Sequence, residues 1–94
     1  MYSIISNEKK CYLCGYTKDI EYHHVFFGGM RKVSDKNGLT VYLCANHHRG
    51  TYGVHGKNGK ELNLYLKRCC QIAYEHTHSR DDWMKLIKKN YLEV

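Results

Sequence analysis

Two short pairs of metal-capable residues, Cys11-x2-Cys14 and Cys44-x2-His47, constrain this chain more than any other feature. Each pair sets two ligands at one tight turn, where both can reach a single ion. Together they make a Cys3His donor set, a common tetrahedral arrangement for structural zinc. Gly15 follows the first pair and permits the turn that faces backbone N–H groups toward the thiolates. A chain of 94 residues has a marginal core of its own. Zinc bound in this way supplies an apparent ~10–16 kcal/mol to small zinc domains, enough to decide whether they fold. Two other readings compete. A C-x2-C pair can be a redox pair, but the βαβ context for that is missing. The cysteines can also be plain buried thiols. Cys69 and Cys70 are adjacent and lack partners at ligand spacing, so they read as core thiols.

Composition narrows the class further. Hydrophobic residues at 43% and charged residues at 26% give a globular balance, and the length suits one domain over residues 1–94. No apolar run reaches the ~20 residues of a membrane span, so no membrane association is expected. No secretory signal opens the chain and the cysteine count of five is odd, which argues against a disulfide scaffold and for the reducing cytoplasm. Fifteen Lys and Arg against nine Asp and Glu give a formal charge of +6, which favours a polyanionic partner, nucleic acid first.

The pattern of elements is α+β. A turn-rich knuckle surrounds Cys11 to Gly15. Residues 21–27, Glu-Tyr-His-His-Val-Phe-Phe, read as a strand, ended by Gly28-Gly29. Residues 30–38 read as a basic polar loop, with Asn37-Gly38 as its turn before a second strand at 39–43. A short helix opens at Cys44, and four glycines between Gly50 and Gly59 interrupt it. Lys60 to His76 has helical spacing, with Leu62, Leu66, Cys69, Ile72, Ala73 and His76 as its apolar face. A last helix starts at Asp81-Asp82 and buries Trp83, Leu86 and Ile87.

The zinc set leaves His23, His24 and His48 over. If the knuckle joins the end of the second strand to the start of the first, these three imidazoles share one neighbourhood. Metal-capable imidazoles plus a spare base are the parts that phosphodiester hydrolysis needs. His76 and His78 have no partner at ligand spacing and read as surface.

With those residues in view, the chain resembles the HNH endonucleases, also called His-Me finger proteins, and in particular small phage-encoded members. The resemblance covers about residues 9–56 and rests on His23-His24-Val25 and on Leu43-Cys44-Ala45-Asn46-His47-His48. The ending Asn90-Tyr91-Leu92 is similar to the same group more loosely. It implies a zinc-stabilised ββα-metal core over about residues 9–58, with additional C-terminal helices over about 60–94. It implies His24 as general base, and His23 and His48 as ligands of a catalytic Mg2+, Mn2+ or other divalent ion. In this chain His47 stands where a second zinc-binding cysteine is usual. The middle Asn of the family has no residue cleanly in register, and Asn37 is the nearest to fill its role of holding the base-bearing loop. The third catalytic ligand is His55, seven residues after His48 and two helical turns away, or else Asn58 or water.

The implied activity is DNA hydrolysis leaving a 5′ phosphate. Arg31, Lys32 and Arg49 are the candidate phosphate contacts. Two rival functions stand beside it. One is a catalytically weak or inactive module of the same fold that binds nucleic acid or protein, as a phage regulator or an inhibitor of host machinery. The other is a protein-interaction module using the nine tyrosines. A double-strand break would need a homodimer or two visits.

Overall fold

A computed structural model describes residues 2–92. It is a small α+β fold with one two-stranded sheet. Strand β1 (Glu21–His24) pairs antiparallel with β2 (Thr40–Leu43), with Glu21 opposite Leu43 and His24 opposite Thr40. Four α-helices accompany the sheet: α1 (Arg31–Asn37), α2 (Ala45–Arg49), α3 (Lys60–Glu75) and α4 (Arg80–Ile87). Val41 and Leu43 of β2 are fully buried, as are Leu39, Leu66, Cys70 and Trp83, and these form the centre of the core. Thr40 is buried too, and its hydroxyl donates to the Tyr2 carbonyl at 2.7 Å, while the Ser3 hydroxyl donates to the Thr40 carbonyl at 2.6 Å. The N-terminal segment thus straps the outer side of β2.

Two expectations need correction. The first strand is shorter than residues 21–27 and stops at His24. The Val25 amide still reaches the Leu39 carbonyl at 3.0 Å, but the next residue is captured from the side. The Ser34 hydroxyl donates to the Phe26 carbonyl at 2.6 Å and accepts from the Phe26 amide at 3.1 Å. Ser34 is fully buried, and it also explains the second correction. Most of residues 30–38 is helix α1 rather than a loop, with Val33 packed on the core and Ser34 beneath it. Asn37-Gly38 is therefore a helix end and not a hairpin turn. Gly38 sits at φ 69, and its amide donates to the Ser34 carbonyl, closing α1 in the left-handed conformation glycine favours.

The C-terminal helices lie close to their expected bounds, but the buried face of α3 is rotated. Leu66, Cys70, Gln71 and Tyr74 are inside, while Ile72 is 51% exposed. Gln71 is buried because it is a connector. Its amide nitrogen donates to Glu75 and to Asn90 at 2.7 and 2.9 Å, and its oxygen accepts from the Tyr91 amide at 2.7 Å. Helix α4 begins one residue before Asp81. Ser79 caps it, accepting from the Asp82 amide in a capping box that the sequence Ser-x-x-Asp provides.

Ser34 joins α1 to the residue that follows β1 by two buried hydrogen bonds. Ser34→Ala would leave both Phe26 backbone groups without partners, a cost of about 1–3 kcal/mol per group. The expected outcome is a clear fall in the urea midpoint followed through the fluorescence of buried Trp83. An unaltered midpoint would remove Ser34 from this role.

Candidate metal centres

The knuckle and the start of α2 build the first centre. The Cys11 amide donates to the Tyr16 carbonyl and the Gly15 amide to the Cys11 carbonyl, both at 2.8 Å, which folds the first pair into a tight turn. The Tyr12 amide donates to the Tyr42 carbonyl at 2.9 Å and ties that turn to β2. Cys44 is the residue before α2, so Cys44 and His47 face the knuckle from the first helical turn. The donor atoms of Cys11, Cys14, Cys44 and His47 all lie within 4.8 Å of one another. His47 Nδ1 is 3.2 Å from Cys44 Sγ and 3.6 Å from Cys11 Sγ, and Cys14 Sγ is 3.9 Å from Cys44 Sγ. A zinc tetrahedron with Zn–S of ~2.3 Å has S···S edges of ~3.8 Å and slightly shorter S···N edges. The four residues can therefore hold a metal ion, and the set suits zinc. Burial alone would raise the Cys11 thiol. The backbone amides of Cys44, Cys14 and Leu13 aim at it and outweigh that, bringing it down to about 6. At Cys11 the fold thus favours the thiolate form that binds metal, whereas the net shift of the Cys14 thiol is upward.

A second cluster lies on the other side of α2. One residue along a helix turns the side chain by ~100°, so His48 points away from His47 and toward β1. His23, His48 and His55 bring their ligand atoms within 4.8 Å of one another. The ring centroids are 5.2 Å apart for His23 and His48, 5.1 Å for His23 and His55, and 4.8 Å for His48 and His55. His23 is 2% exposed, and its Nε2 is buried with no hydrogen-bond partner. Burial, and then the neighbouring His48, His55 and His24, push its pKa down to about 3, so the ring stays neutral at physiological pH. Neutral imidazole is the ligating form. Exposure increases from His23 through His48 to His55, so the cluster opens to solvent at one side.

His55 arrives by a route other than two helical turns. Helix α2 ends at Arg49. The chain then descends through Gly50, Gly53, Gly56 and Gly59, with the Gly53 amide donating to Gly50 and the Gly56 amide to Gly53. A Cβ at Gly56 would collide with the Gly50 carbonyl oxygen, and one at Gly59 with that of Gly53. This close stacking lets the His55 amide donate to the His48 carbonyl at 2.9 Å, setting the two rings side by side. Asn58 lines a cavity of about 410 Å³ with His47 and Tyr52.

Carboxylates missing from the sequence reading orient the histidines. Glu21 shares the inner face of β1 with His23, by the two-residue period of a strand. It accepts from His48 Nδ1 at 2.7 Å, which leaves the His48 Nε2 lone pair for a ligand. It also takes Arg49 in a fork, at 3.0 and 2.7 Å. Arg49, then His48, hold the Glu21 carboxyl down to about 2. Arg49, expected to contact phosphate, is thus paired within the chain. Arg31 and Lys32 are exposed at the start of α1 and form no ion pair among the described residues.

Tyr22 and His24 leave β1 on the opposite face. Both reach Asp35 of α1, where the Tyr22 hydroxyl donates at 2.6 Å and His24 Nε2 lies at 2.8 Å. The Tyr22 hydroxyl, and after it the His24 ring, keep Asp35 below the usual carboxylate range. A charged carboxylate accepts the Nε2 proton, so the lone pair of His24 is on Nδ1. Asp35, and not Asn37, holds this histidine; the Asn37 amide donates to the Val33 carbonyl of its own helix. His76 and His78 are exposed and belong to neither cluster. Cys70 is a core thiol that burial keeps protonated, and Cys69 is half-buried beside it.

Compared with known proteins, the chain matches no family model, no curated protein and no solved structure.

The four-residue centre generates a measurable expectation. Purified chain retains one tightly held zinc, and a strong chelator unfolds it, as circular dichroism records. Cys44→Ser loses that zinc and the cooperative transition with it. A chain stripped of metal that unfolds at an unchanged temperature would contradict this.

Proposed function

We propose that the chain is a metal-dependent DNA endonuclease of the HNH, or His-Me finger, type. Its ββα-metal core would be β1, β2 and α2, held by zinc at Cys11, Cys14, Cys44 and His47. The observation that carries the reading is the buried, partnerless Nε2 of His23 beside His48 and His55. A buried polar nitrogen without a hydrogen bond costs stability unless something else occupies it. Three imidazoles converging on one point, open on one side, suit a divalent cation with free coordination positions. When bound, that ion supplies positive charge against the charge developing on the scissile phosphate and the leaving 3′ oxygen.

The chain's own residues supply the rest. His24 takes a proton from the attacking water at Nδ1. Asp35 fixes its tautomer through Nε2 and stabilises the imidazolium that forms, and Tyr22 holds Asp35 in turn. Glu21 orients His48 from behind. Arg31 and Lys32, unpaired at the start of α1, are available to phosphates near His24. Because His23 and His24 leave β1 on opposite faces, the substrate phosphate has to sit across the end of the strand to meet both. Basic charge favours DNA as the partner, and a homodimer would be required for a concerted double-strand cut.

The opposed faces of His23 and His24 also favour a second reading. In it the same fold binds DNA or a protein without cutting, as a regulator or inhibitor. Conversion of supercoiled plasmid in Mg2+ or Mn2+ separates the two. For the nuclease, His24→Ala lowers the rate by about 10²-fold or more, in line with the contribution of a general base. Asp35→Asn lowers it by about tenfold, because the ring loses the partner that fixes its tautomer. Binding without cleavage in either metal, insensitive to His24→Ala, selects the module.

A further inference from the structure

Beyond the two centres, a groove of about 430 Å³ runs between the segment after β1, the first half of α3 and the C-terminal tail. Its walls include Phe27, Lys60, Lys67, Lys89 and Tyr91, and none of its lining residues is acidic. Among the described residues, none of these three lysines forms an ion pair. The positive charge is therefore uncompensated and concentrated on one concave surface, not distributed over a solvated face.

The groove is also aromatic and fixed in shape. The Lys67 ammonium lies 5.7 Å from the centre of the Tyr91 ring, and the Lys89 ammonium 5.3 Å from it. The tail that carries Lys89 and Tyr91 is tied down by side chains of α3 and α4. Trp83 Nε1 donates to the Lys89 carbonyl at 2.8 Å, Arg68 Nε to the Tyr91 carbonyl at 3.0 Å, and Gln71 receives the Tyr91 amide. At the other end Phe27 is 42% exposed. Its ring centre is 4.9 Å from that of His55 and 5.9 Å from that of His23. One end of the groove thus abuts the three-histidine cluster.

We infer that this groove binds a single nucleic-acid strand, with a base stacked on Phe27 beside His55 and the backbone phosphates on Lys60, Lys67 and Lys89. Lysines that track a backbone, interleaved with aromatic faces that take unpaired bases, are how sequence-tolerant single-strand sites are built. Duplex DNA keeps its bases stacked and offers none to Phe27, so the unpaired form is preferred. The inference deepens the nuclease reading, since it leads one strand toward the cluster, but binding is measured apart from cutting.

The test uses the zinc-loaded full chain without added Mg2+ or Mn2+, and a short fluorescent oligothymidylate followed by anisotropy over a range of salt. Lys67→Glu/Lys89→Glu is expected to weaken binding at least about tenfold. It also flattens the log affinity–log salt slope by about 1.4, two phosphates at ~0.7 each. Phe27→Ala weakens it by about fivefold or more. Lys18→Glu/Lys36→Glu makes the same charge change outside the groove and serves as the control, with retained zinc and circular dichroism verifying folding in each variant. Equal losses in control and groove variants overturn the inference, as does full affinity in the groove variants, tighter binding of the matching duplex, or a preference for polyglutamate. Plasmid cleavage by the parent chain is scored separately. Cutting with undisturbed binding in the groove variants sinks the groove alone; groove-dependent binding without cutting sinks the nuclease alone.

Discussion

The convergence of Cys11 and Cys14 with Cys44 and His47 is the constraint on which the remaining structure depends. Cys11 and Cys44 are buried in the core, while Cys14 is exposed and His47 half-buried. The knuckle has few buried apolar side chains, and α2 is a five-residue helix that could not persist in isolation. Joined, the two pairs anchor the start of α2 against the end of β2 and the knuckle. This fixes the direction in which α2 leaves the sheet. His48 follows His47 directly, so whatever locates His47 also determines where His48 points.

The second determinant is the alternation of β1. Four residues, Glu-Tyr-His-His, distribute two functions over two faces. Glu21 and His23 look inward to His48, Arg49 and His55; Tyr22 and His24 look outward to Asp35 on α1. His48 and His24 are thereby each supported by a carboxylate from a different part of the chain, and each carboxylate is kept ionised by the groups around it. A one-residue slip of β1 against β2 would exchange the faces and dismantle both arrangements at once. The register is guarded by Val41 and Leu43, which are buried on the inner face, and by Thr40, which the N-terminal strap clasps.

The glycines between residues 50 and 59 illustrate a limit of pattern reading. As helix breakers they are correctly seen to end α2. Their spacing of three is what allows successive turns to stack so closely that a methyl group would not fit, and that closeness returns His55 to His48. Similarly, Gly38 signals a reversal, and a left-handed glycine serves equally at a hairpin or at the end of a helix. Buried Ser34, bonded to Phe26, selects the helix.

Local chemistry was sufficient for much of the rest. The four-residue Cys/His set is readable because its pairs are contiguous and each is a single turn. The α+β class, the long amphipathic helix and the last helix are readable because periodicity and the charge at a helix start are short-range properties. Only tertiary structure decided that Asp35 faces His24, that Glu21 is shared by His48 and Arg49, and that Gln71 lies inside α3 while Ile72 lies outside. Those contacts join residues eleven to twenty-eight positions apart, or depend on where the tail docks. No periodicity along the chain encodes such a distance; it follows from how the sheet, the four-residue Cys/His centre and the helices pack together.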